Sequence, residues 1–333
     1  MHDSTVDISE NLIYKSAKTK KIIECIKLVH SMYFNESCTK KALLIYGSSG
    51  EGKTYLLKAY QQLFNPVKTL EKKTIPVFYY AVRQGKSSVN DLMKTLISAL
   101  GGPMLRGRPH STELEIQLIT LLKEHEVELI ILDEIQNLST TYDGILFQSI
   151  IKYLCWLIDE EDIRCSIVFS GSKLASRLMA FGDNNKQLDD DEQLSRRMLR
   201  PISLRRHVPK KKSWVLCVDW FLRQIIGPVL DSKNLLHQQF YFRVYIAYQE
   251  RSMSTLNDLF MQENCMKSHD LESLYQALSI NFNLYCKGAK NPFTNLDDTQ
   301  WVTQKISKVM AEYTLEQSKK TNQKNEKNAK NAN

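Results

Sequence analysis

The sequence lacks any hydrophobic run close to the roughly eighteen residues that a membrane-spanning helix needs. Its first residues, MHDSTVDISE, lack the basic and then apolar order of a signal peptide. The seven cysteines are spread along the chain without a CxxC pair or matched histidines, so the sequence indicates neither a disulfide framework nor a zinc site. We therefore expect a soluble intracellular protein with no membrane partner and with reduced, mostly buried cysteines.

Positive charge is concentrated in two places of this 333-residue chain, whose formal net charge is +8. The segment RRHVPKKK, residues 205–212, holds five bases in eight residues, and the end from residue 316 holds five lysines against two glutamates. Such patches suit a polyanion, whereas the alternative is a solvated surface or a disordered tail. Charge alone therefore leaves the partner open.

Apolar strands and helical patterns alternate over much of the chain. The strands ALLIYG, IPVFYYAV, VELIILDEI and CSIVFSGS are apolar on both faces, and a capping-box pattern opens the helix that begins near Ser111. Such strands are typical of a parallel sheet covered by helices on each side, so we predict a doubly wound α/β domain up to about residue 205. The helical patterns lie at residues 17–32, 54–63, 88–101, 111–126 and 146–158.

The strand pattern stops after Pro209, and amphipathic helical segments follow. We therefore predict a smaller all-α domain behind the α/β domain. The stretch KNPFTNLDDTQW fits either a loop that caps this helical domain or a partner-binding hook. The expected domains are an N-terminal helical extension at 1–38, the α/β domain at 39–207, the helical domain at 208–315 and a disordered tail at 316–333.

The strongest motif is the glycine-rich stretch between the strand ALLIYG and the helix after it. It fits GxxxxGK[ST], the pattern of a phosphate-binding loop, in the strand-loop-helix context that this pattern requires. Backbone amides would surround the β-phosphate, Lys53 would reach the β- and γ-phosphates, and the Thr54 hydroxyl would ligate Mg²⁺. The alternative is a glycine-rich connection with a chance lysine. The residues predicted to bind ATP are Gly47, Ser48, Ser49, Gly50, Glu51, Gly52, Lys53 and Thr54.

Two acidic residues, Asp133 and Glu134, end the buried strand LIILDE, at the edge where open α/β sheets bind ligands. Asp133 would hold the water shell of Mg²⁺, and Glu134 would orient and deprotonate the water that attacks the γ-phosphate. Alone, such a pair is often only a polar strand exit. Together with the glycine-rich loop, it indicates ATP hydrolysis.

Further polar groups come at and after the last predicted strand. Either Ser170 or Ser172 in SIVFSGS would lie between the attacking water and the γ-phosphate, and we assign Ser172, whereas the alternative is a serine-rich strand exit. Arg196 or Arg197 in DEQLSRRMLR would act as an arginine finger on the nucleotide of a neighbouring subunit. The alternative is surface pairing with residues 189–191, which are aspartates.

These motifs together resemble the AAA+ ATPases of the TnsC/TniB family, which regulate transposition. The resemblance rests on GSSGEGKT, LIILDEIQNL, the SGS strand and the QLSRRM arginines, and it covers roughly residues 10–230. The sensor strand of the family ends in Gly-Thr, where this sequence has Gly171 and Ser172. The implied fold is an AAA+ P-loop NTPase domain, with a parallel sheet covered by helices.

The resemblance also implies partners. It suggests a homo-oligomer that forms with ATP and Mg²⁺ on double-stranded DNA, as a hexameric or heptameric ring or as a filament, in the bacterial cytoplasm. This assembly would link a TniQ-type target-selection protein to a transposase, and a CRISPR-associated transposon is one setting for it. No acidic triad or nuclease motif stands out in the sequence, so DNA chemistry would come from the transposase.

Bases near predicted loops are the candidates for DNA contact. They would meet phosphates and give salt-sensitive binding without a sequence code, although each is more often a plain surface charge. The candidates are Arg83, Lys86, Arg106, Arg108 and Lys152.

Two other functions fit the same motifs. A helicase loader or remodeller would keep the fold and do processive work, and a signalling scaffold would use the nucleotide as a slow switch without any dependence on DNA. The transposition hypothesis instead predicts ATP-dependent coating of DNA without unwinding.

Overall fold

The structure is a computed structural model of the 333-residue chain. Two compact units are present, one comprising Lys18–Arg205 and the other starting at Arg206. The structure describes residues 16–35, 39–70, 72–84, 88–103, 109–138, 144–160, 163, 165–176, 196–227, 234–286 and 289–330.

The first unit contains helices and strands along its whole described length, as the sequence pattern predicts. Short 3₁₀ turns follow three of these elements, at Met32–Phe34, Ile135–Leu138 and Lys173–Ser176. The helices and strands are α1 (Ala17–Ser31), β1 (Leu43–Gly47), α2 (Lys53–Gln61), β2 (Val67–Lys68), β3 (Lys73–Thr74), β4 (Val77–Ala81), α3 (Val89–Leu100), α4 (Ser111–Glu124), β5 (Leu129–Asp133), α5 (Gly144–Asp159), β6 (Ser166–Gly171) and β7 (Ile202–Leu204).

Five strands form one parallel sheet in the order β4-β5-β6-β1-β7, which confirms the predicted α/β fold class. Strands β2 and β3 form a separate antiparallel ribbon. Because all strands of the large sheet are parallel, their carboxyl ends share one edge. Strand β6 lies between β1 and β5, so the segments that leave these three strands meet at that edge.

Apolar side chains cover both faces of the sheet. On one face, α1 and α2 pack against Ile45 and Ile131, and on the other face α3, α4 and α5 pack against Leu44 and Leu132. Successive residues of a strand point to opposite faces, which explains why each strand reads as a continuous apolar run. Within the described residues, helices therefore cover both faces of the sheet.

The ends of α3 and α4 show how local sequence sets the helix bounds. Ser88 and Asp91 form a reciprocal capping box at the start of α3, and Gly101, with a φ of +89°, ends that helix. At the start of α4, the carboxylate of Glu113 accepts a hydrogen bond from the backbone N–H of His110 at 3.3 Å. The cap of α4 is thus one residue earlier than the predicted Ser111.

Strand β7 and the β2–β3 ribbon were not predicted. Each of these strands has only two or three residues, which is too short to show a hydrophobic period. Strand β7 is defined by its pairing with β1, since Ile45 lies opposite Ile202 and Gly47 opposite Leu204. Its strand character therefore depends on a long-range partner.

The second unit is helical. Its core is rich in aromatic rings, and the buried Trp214 donates its ring N–H to the backbone carbonyl of Tyr241 at 3.0 Å. The helices are α6 (Lys212–Ile225), α7 (Leu235–Arg251), α8 (Met253–Phe260), α9 (Glu263–Met266), α10 (Leu271–Tyr285) and α11 (Thr299–Lys330).

The stretch KNPFTNLDDTQW packs onto this helical unit. The buried Arg243 donates from its guanidinium to the carbonyl oxygens of Pro292 at 2.5 Å, Asn295 at 3.0 Å and Leu296 at 2.9 Å. The side chain of Phe293 is buried in the same core. Of the two interpretations of this stretch, the structure shows the capping loop.

The last helix runs through most of the segment that composition predicts to be disordered. Helix α11 continues to Lys330, whereas we expected a disordered tail from residue 316. The segment contains no proline or glycine. It has five lysines, two glutamines, two glutamates and two alanines, which are good helix formers, beside five asparagines, which are weaker ones, so local propensity permits a helix.

Two negative findings concern the described residues alone. None of the six cysteines in the described ranges forms a disulfide, and five of them are buried, while Cys38 lies outside these ranges. No helix within the described part of the chain has the length and apolar character to cross a membrane.

Candidate active site

The glycine-rich loop connects β1 to α2 at the carboxyl edge of the sheet. Gly50 and Gly52 have φ values of +74° and +85°, in the left-handed region that favours glycine. Gly52 is the N-cap of α2, so Lys53 and Thr54 occupy its first turn. The first amides of a helix have no intrahelical partner, and the positive end of the helix dipole lies there, which suits this turn to phosphate binding.

Lys53 is buried, and its ammonium group lies over the loop. Its Nζ donates to the carbonyl oxygens of Gly47 at 3.1 Å and Ser48 at 2.8 Å. Burial lowers the pKa of Lys53 below its ordinary value, and the negative charges of Glu134, Asp133 and Glu51 oppose that shift. The phosphates of ATP would supply further negative charge and would hold Lys53 in its charged form.

Glu51, which we predicted as a residue of the ATP-binding loop, is also buried. Its negative charge raises the pKa of Lys53 and of Lys18, in the first turns of α1. The pKa of Lys18 is nevertheless lowered to about 8, first by burial and then by the positive charge of Arg205. Glu51 therefore partly neutralises the cations that surround the loop.

Asp133 is fully buried at the end of β5 and accepts three hydrogen bonds. Its Oδ2 accepts from the Thr54 hydroxyl at 2.6 Å and from the Tyr79 hydroxyl at 2.9 Å, and its Oδ1 accepts from the backbone N–H of Glu134 at 2.9 Å. Burial, followed by the charge of Asp133, raises the pKa of Tyr79 far above its ordinary value, so this hydroxyl stays protonated and donates. The Thr54 hydroxyl and the Asp133 carboxylate are hard oxygen ligands side by side, which fits Mg²⁺.

Glu134 directly follows Asp133 and has a φ of +55°, which is uncommon for a residue with a side chain. Its carboxylate accepts a hydrogen bond from the side-chain amide nitrogen of Gln136. The carbonyl oxygen of the same amide accepts from the backbone N–H of Ser172 at 2.8 Å. Gln136 therefore ties the carboxylate of Glu134 to the segment that leaves β6.

Gly171, at the end of β6, leaves room for this connection. A Cβ atom at this position would lie 2.4 Å from the Oε1 of Gln136 and 2.7 Å from the Cβ of Ala175. Both distances are too short for real contacts, so a side chain at residue 171 would displace Gln136 or the turn at Lys173–Ser176. Glycine is therefore required at residue 171 because Gln136 and Ala175 lie too close to leave room for a Cβ atom.

The two candidate serines of β6 differ in their surroundings. The Oγ of Ser172 accepts from the backbone N–H of Leu174 at 3.2 Å and so caps the following 3₁₀ turn. Ser170 is fully buried, and its hydroxyl has no hydrogen-bond partner among the described residues. Val168 and Ile131 pair across β6 and β5, so alternation puts Ser170 and Asp133 on one face of the sheet. We assigned Ser172 to the site and kept Ser170 as the alternative. In the register of β6 with β5, Ser170 lies nearer to Asp133 than Ser172 does.

Comparison with known families identifies the chain. The model of the family described as bacterial TniB protein matches residues 7–207, which is more than half of the sequence. The chain belongs to the TniB family. TniB proteins are AAA+ ATPases of the TnsC type that act in transposition, so the resemblance inferred from the motifs is confirmed.

Several solved structures are similar to this TniB-family chain at low identity. A Walker-type ATPase of Pyrococcus abyssi has 13% identity and a TM-score of 0.46, with coverage of 93% of this chain and 76% of that chain. The ORC1 protein of Aeropyrum pernix in complex with DNA has 13% identity, a TM-score of 0.41 and coverage of 92% and 86%. PCH-2 of C. elegans has 15% identity, a TM-score of 0.45 and coverage of 83% and 69%. A comparison with curated proteins found no match.

The arginines of this TniB-family protein lie at the opposite edge of the sheet. The backbone N–H of Ala42 donates to the carbonyl oxygen of Arg197 at 2.8 Å, and Ala42 bridges to Met198 just before β1 begins. The glycine-rich loop starts at Gly47, five residues further, which is about 16 Å along a strand. The segment of Arg196 and Arg197 is therefore remote from the loop of its own subunit.

The two arginine side chains are not equivalent. Arg197 is paired with Asp159, at the end of α5, through its Nε at 2.7 Å and its Nη2 at 2.5 Å. The side chain of Arg196 is exposed. The predicted alternative of pairing with residues 189–191 lies outside the described residues.

The predicted DNA contacts are only partly described. Arg83 is exposed just after β4, at the carboxyl edge of the sheet, and Lys152 is exposed on α5. These two positions belong to different elements. Lys86, Arg106 and Arg108 lie outside the described residues.

Sequence reasoning missed Tyr79 and Gln136, which contact the two acidic residues. Tyr79 belongs to the run VFYYA, where it looks like any apolar strand residue. Gln136 was noted only as part of the motif DEIQNL. Its position two residues after Glu134 is the one signal that the sequence offers for a contact with that carboxylate.

Proposed function

We propose that this TniB-family ATPase binds ATP with Mg²⁺, assembles on double-stranded DNA as a ring or filament, and links a target-selection protein to a transposase. The convergence of Lys53, Thr54, Asp133 and Glu134 at one edge of the sheet carries the proposal. The arrangement supplies a cation for phosphates, hard oxygen ligands for a metal and a carboxylate beside them. These are the groups that phosphoryl transfer to water requires.

Each group has a role that follows from its surroundings. Lys53 would exchange its two hydrogen bonds to loop carbonyls for hydrogen bonds to the β- and γ-phosphates. Its ammonium group would then keep the same number of partners. Thr54 and Asp133 would hold Mg²⁺, which would neutralise charge that develops on the phosphates. Glu134, held by Gln136, would accept a proton from the attacking water.

The DNA-dependent assembly has a direct test. We expect the protein to coat double-stranded DNA when ATP and Mg²⁺ are present, and binding should weaken steeply as salt rises because the contacts are to phosphates. Electron microscopy and sedimentation with ATP, with ADP and without nucleotide measure the coating. Strand-displacement assays on the same DNA should show no unwinding.

Two results would contradict the adaptor role. Unwinding of the duplex would favour a remodeller or loader, and ATP-dependent assembly that ignores DNA would favour a signalling scaffold. Pull-down of a transposase or a TniQ-type protein encoded near this gene tests the linking role separately.

The arginine prediction is sharpened by the structure. Since Arg196 and Arg197 lie far from their own glycine-rich loop, an arginine finger here must act on a neighbouring subunit. The double variant Arg196→Ala, Arg197→Ala should keep ATP binding, and its hydrolysis should fall to the DNA-independent rate. When it is mixed with wild type, the total ATPase rate should drop more than dilution explains, because mixed interfaces hold one defective site.

Single variants separate the finger from the ion pair. Arg196→Ala should reproduce the loss, whereas Asp159→Asn removes the partner of Arg197 and leaves both arginines in place. If Asp159→Asn alone abolished DNA-stimulated hydrolysis, the effect would come from the local ion pair. A mixture whose rate falls only in proportion to dilution would exclude a role in trans.

A further inference from the structure

The hydroxyl of Tyr79 reaches the predicted metal site from a strand that carries no known motif. It donates to the Oδ2 of Asp133 at 2.9 Å, and this same oxygen accepts from the Thr54 hydroxyl at 2.6 Å. Tyr79 lies on β4 opposite Ile131 of β5. Because Ile131 is two residues before Asp133, the long side chain of Tyr79 must extend along the sheet toward the carboxyl edge to reach Asp133.

The ring of Tyr79 is fixed by its own neighbours. It packs beside the core that α1 and α2 form with the sheet, and the ammonium group of Lys58 on α2 lies 5.7 Å from the ring centroid. The next residue, Tyr80, faces the opposite core, between the sheet and the helices α3, α4 and α5. Because strand residues alternate, only one of the two tyrosines meets Asp133.

The carboxylate of Asp133 is held on both oxygens. A carboxylate with a single donor can pivot about that hydrogen bond, whereas Thr54 and Tyr79 hold Oδ2 from two elements and the backbone N–H of Glu134 holds Oδ1. Thr54 must also offer its oxygen to the metal in the proposed function. Tyr79 is then the side-chain donor to Asp133 that is not itself a predicted metal ligand.

We propose that Tyr79 is a positioning residue that orients Asp133 for Mg²⁺ when ATP is bound. This inference rests on the proposed binding of Mg²⁺ with ATP. Partners that orient a metal ligand commonly change metal affinity by about 10- to 100-fold when they are removed. The role therefore concerns how much Mg²⁺ the site needs, rather than whether the loop binds phosphates.

The test uses Tyr79→Phe, which keeps the ring beside Lys58 and removes only the hydroxyl. Binding of a fluorescent ATP analogue is measured over a Mg²⁺ titration and in EDTA, and thermal unfolding is measured in parallel. We expect half-maximal enhancement of binding to need roughly tenfold more Mg²⁺, while the affinity in EDTA is unchanged. Tyr80→Phe is the matched control, one residue away on the opposite face, and should titrate like wild type.

The outcomes separate this inference from the proposed function. If wild type responds to Mg²⁺ and Tyr79→Phe responds identically, the positioning role is overturned and the ATP site stands. An equal loss of affinity in EDTA would also overturn it, because the hydroxyl would then support the loop itself. If wild type binds the analogue equally with and without Mg²⁺, the proposed metal site is wrong, and the role of Tyr79 is overturned with it.

Discussion

Replacing Lys53 with alanine is expected to abolish ATP binding at working concentrations and, with it, ATP-dependent assembly on DNA. Lys53 is the buried cation whose ammonium group already lies on the carbonyls of Gly47 and Ser48. Hydrogen bonds to charged groups contribute about 1.5–3 kcal/mol each. Loss of two hydrogen bonds from Lys53 to the phosphates would therefore weaken the affinity for ATP by at least about a hundredfold.

Calorimetry or a fluorescent ATP analogue measures this loss, and electron microscopy measures assembly on DNA. Lys123→Ala, which removes an exposed lysine from the last turn of α4, is the control and should behave as wild type. If Lys53→Ala coats DNA in the presence of ATP as wild type does, the nucleotide site has been assigned wrongly.

The variant Glu134→Gln is expected to bind ATP and assemble on DNA, with hydrolysis slowed about a thousandfold, within the usual range for loss of a general base. The amide cannot accept the proton of the attacking water. Its oxygen can still accept from Gln136, and the hydrogen bonds of Asp133 to Thr54 and Tyr79 do not involve the substituted side chain. The local geometry should therefore persist while the chemistry stops.

Phosphate release under saturating ATP and DNA measures this effect, and long-lived assemblies on DNA are the expected secondary result. Glu124→Gln, on the exposed end of α4, controls for the change of charge. Phosphate release close to the wild-type rate would remove Glu134 from the catalytic role.

The parts of the site that the sequence predicts are those that local motifs define. The glycine-rich loop and the start of α2 follow from one continuous stretch, and Asp133 follows from a strand that is apolar until its last residue. Both rely on short-range rules about strands, glycine turns and helix starts. The parallel sheet is likewise visible in strands that are apolar on both faces.

The remaining contacts depend on residues that are distant in the sequence. Tyr79 meets Asp133 only because β4 pairs with β5, and Arg197 meets Asp159 only because its segment pairs with Ala42 beside β1. A single sequence does not encode such registers in any local pattern. The choice between Ser170 and Ser172 likewise depends on a distant pairing, since β6 against β5 puts Ser170 in register with Asp133, and on the turn that Ser172 caps.

Strand β1 has one further consequence for an assembled ring or filament. Its amino end adjoins the arginine segment that would face a neighbouring nucleotide, and its carboxyl end opens the loop for its own nucleotide. Strand β1 pairs with β6 on one side and with β7 on the other, so both of its ends belong to the hydrogen-bonded sheet. Each subunit would thus connect two ATP sites through one strand. If ATP at one site changes the affinity of the other, reciprocity requires that ATP at the second site changes the affinity of the first by the same factor.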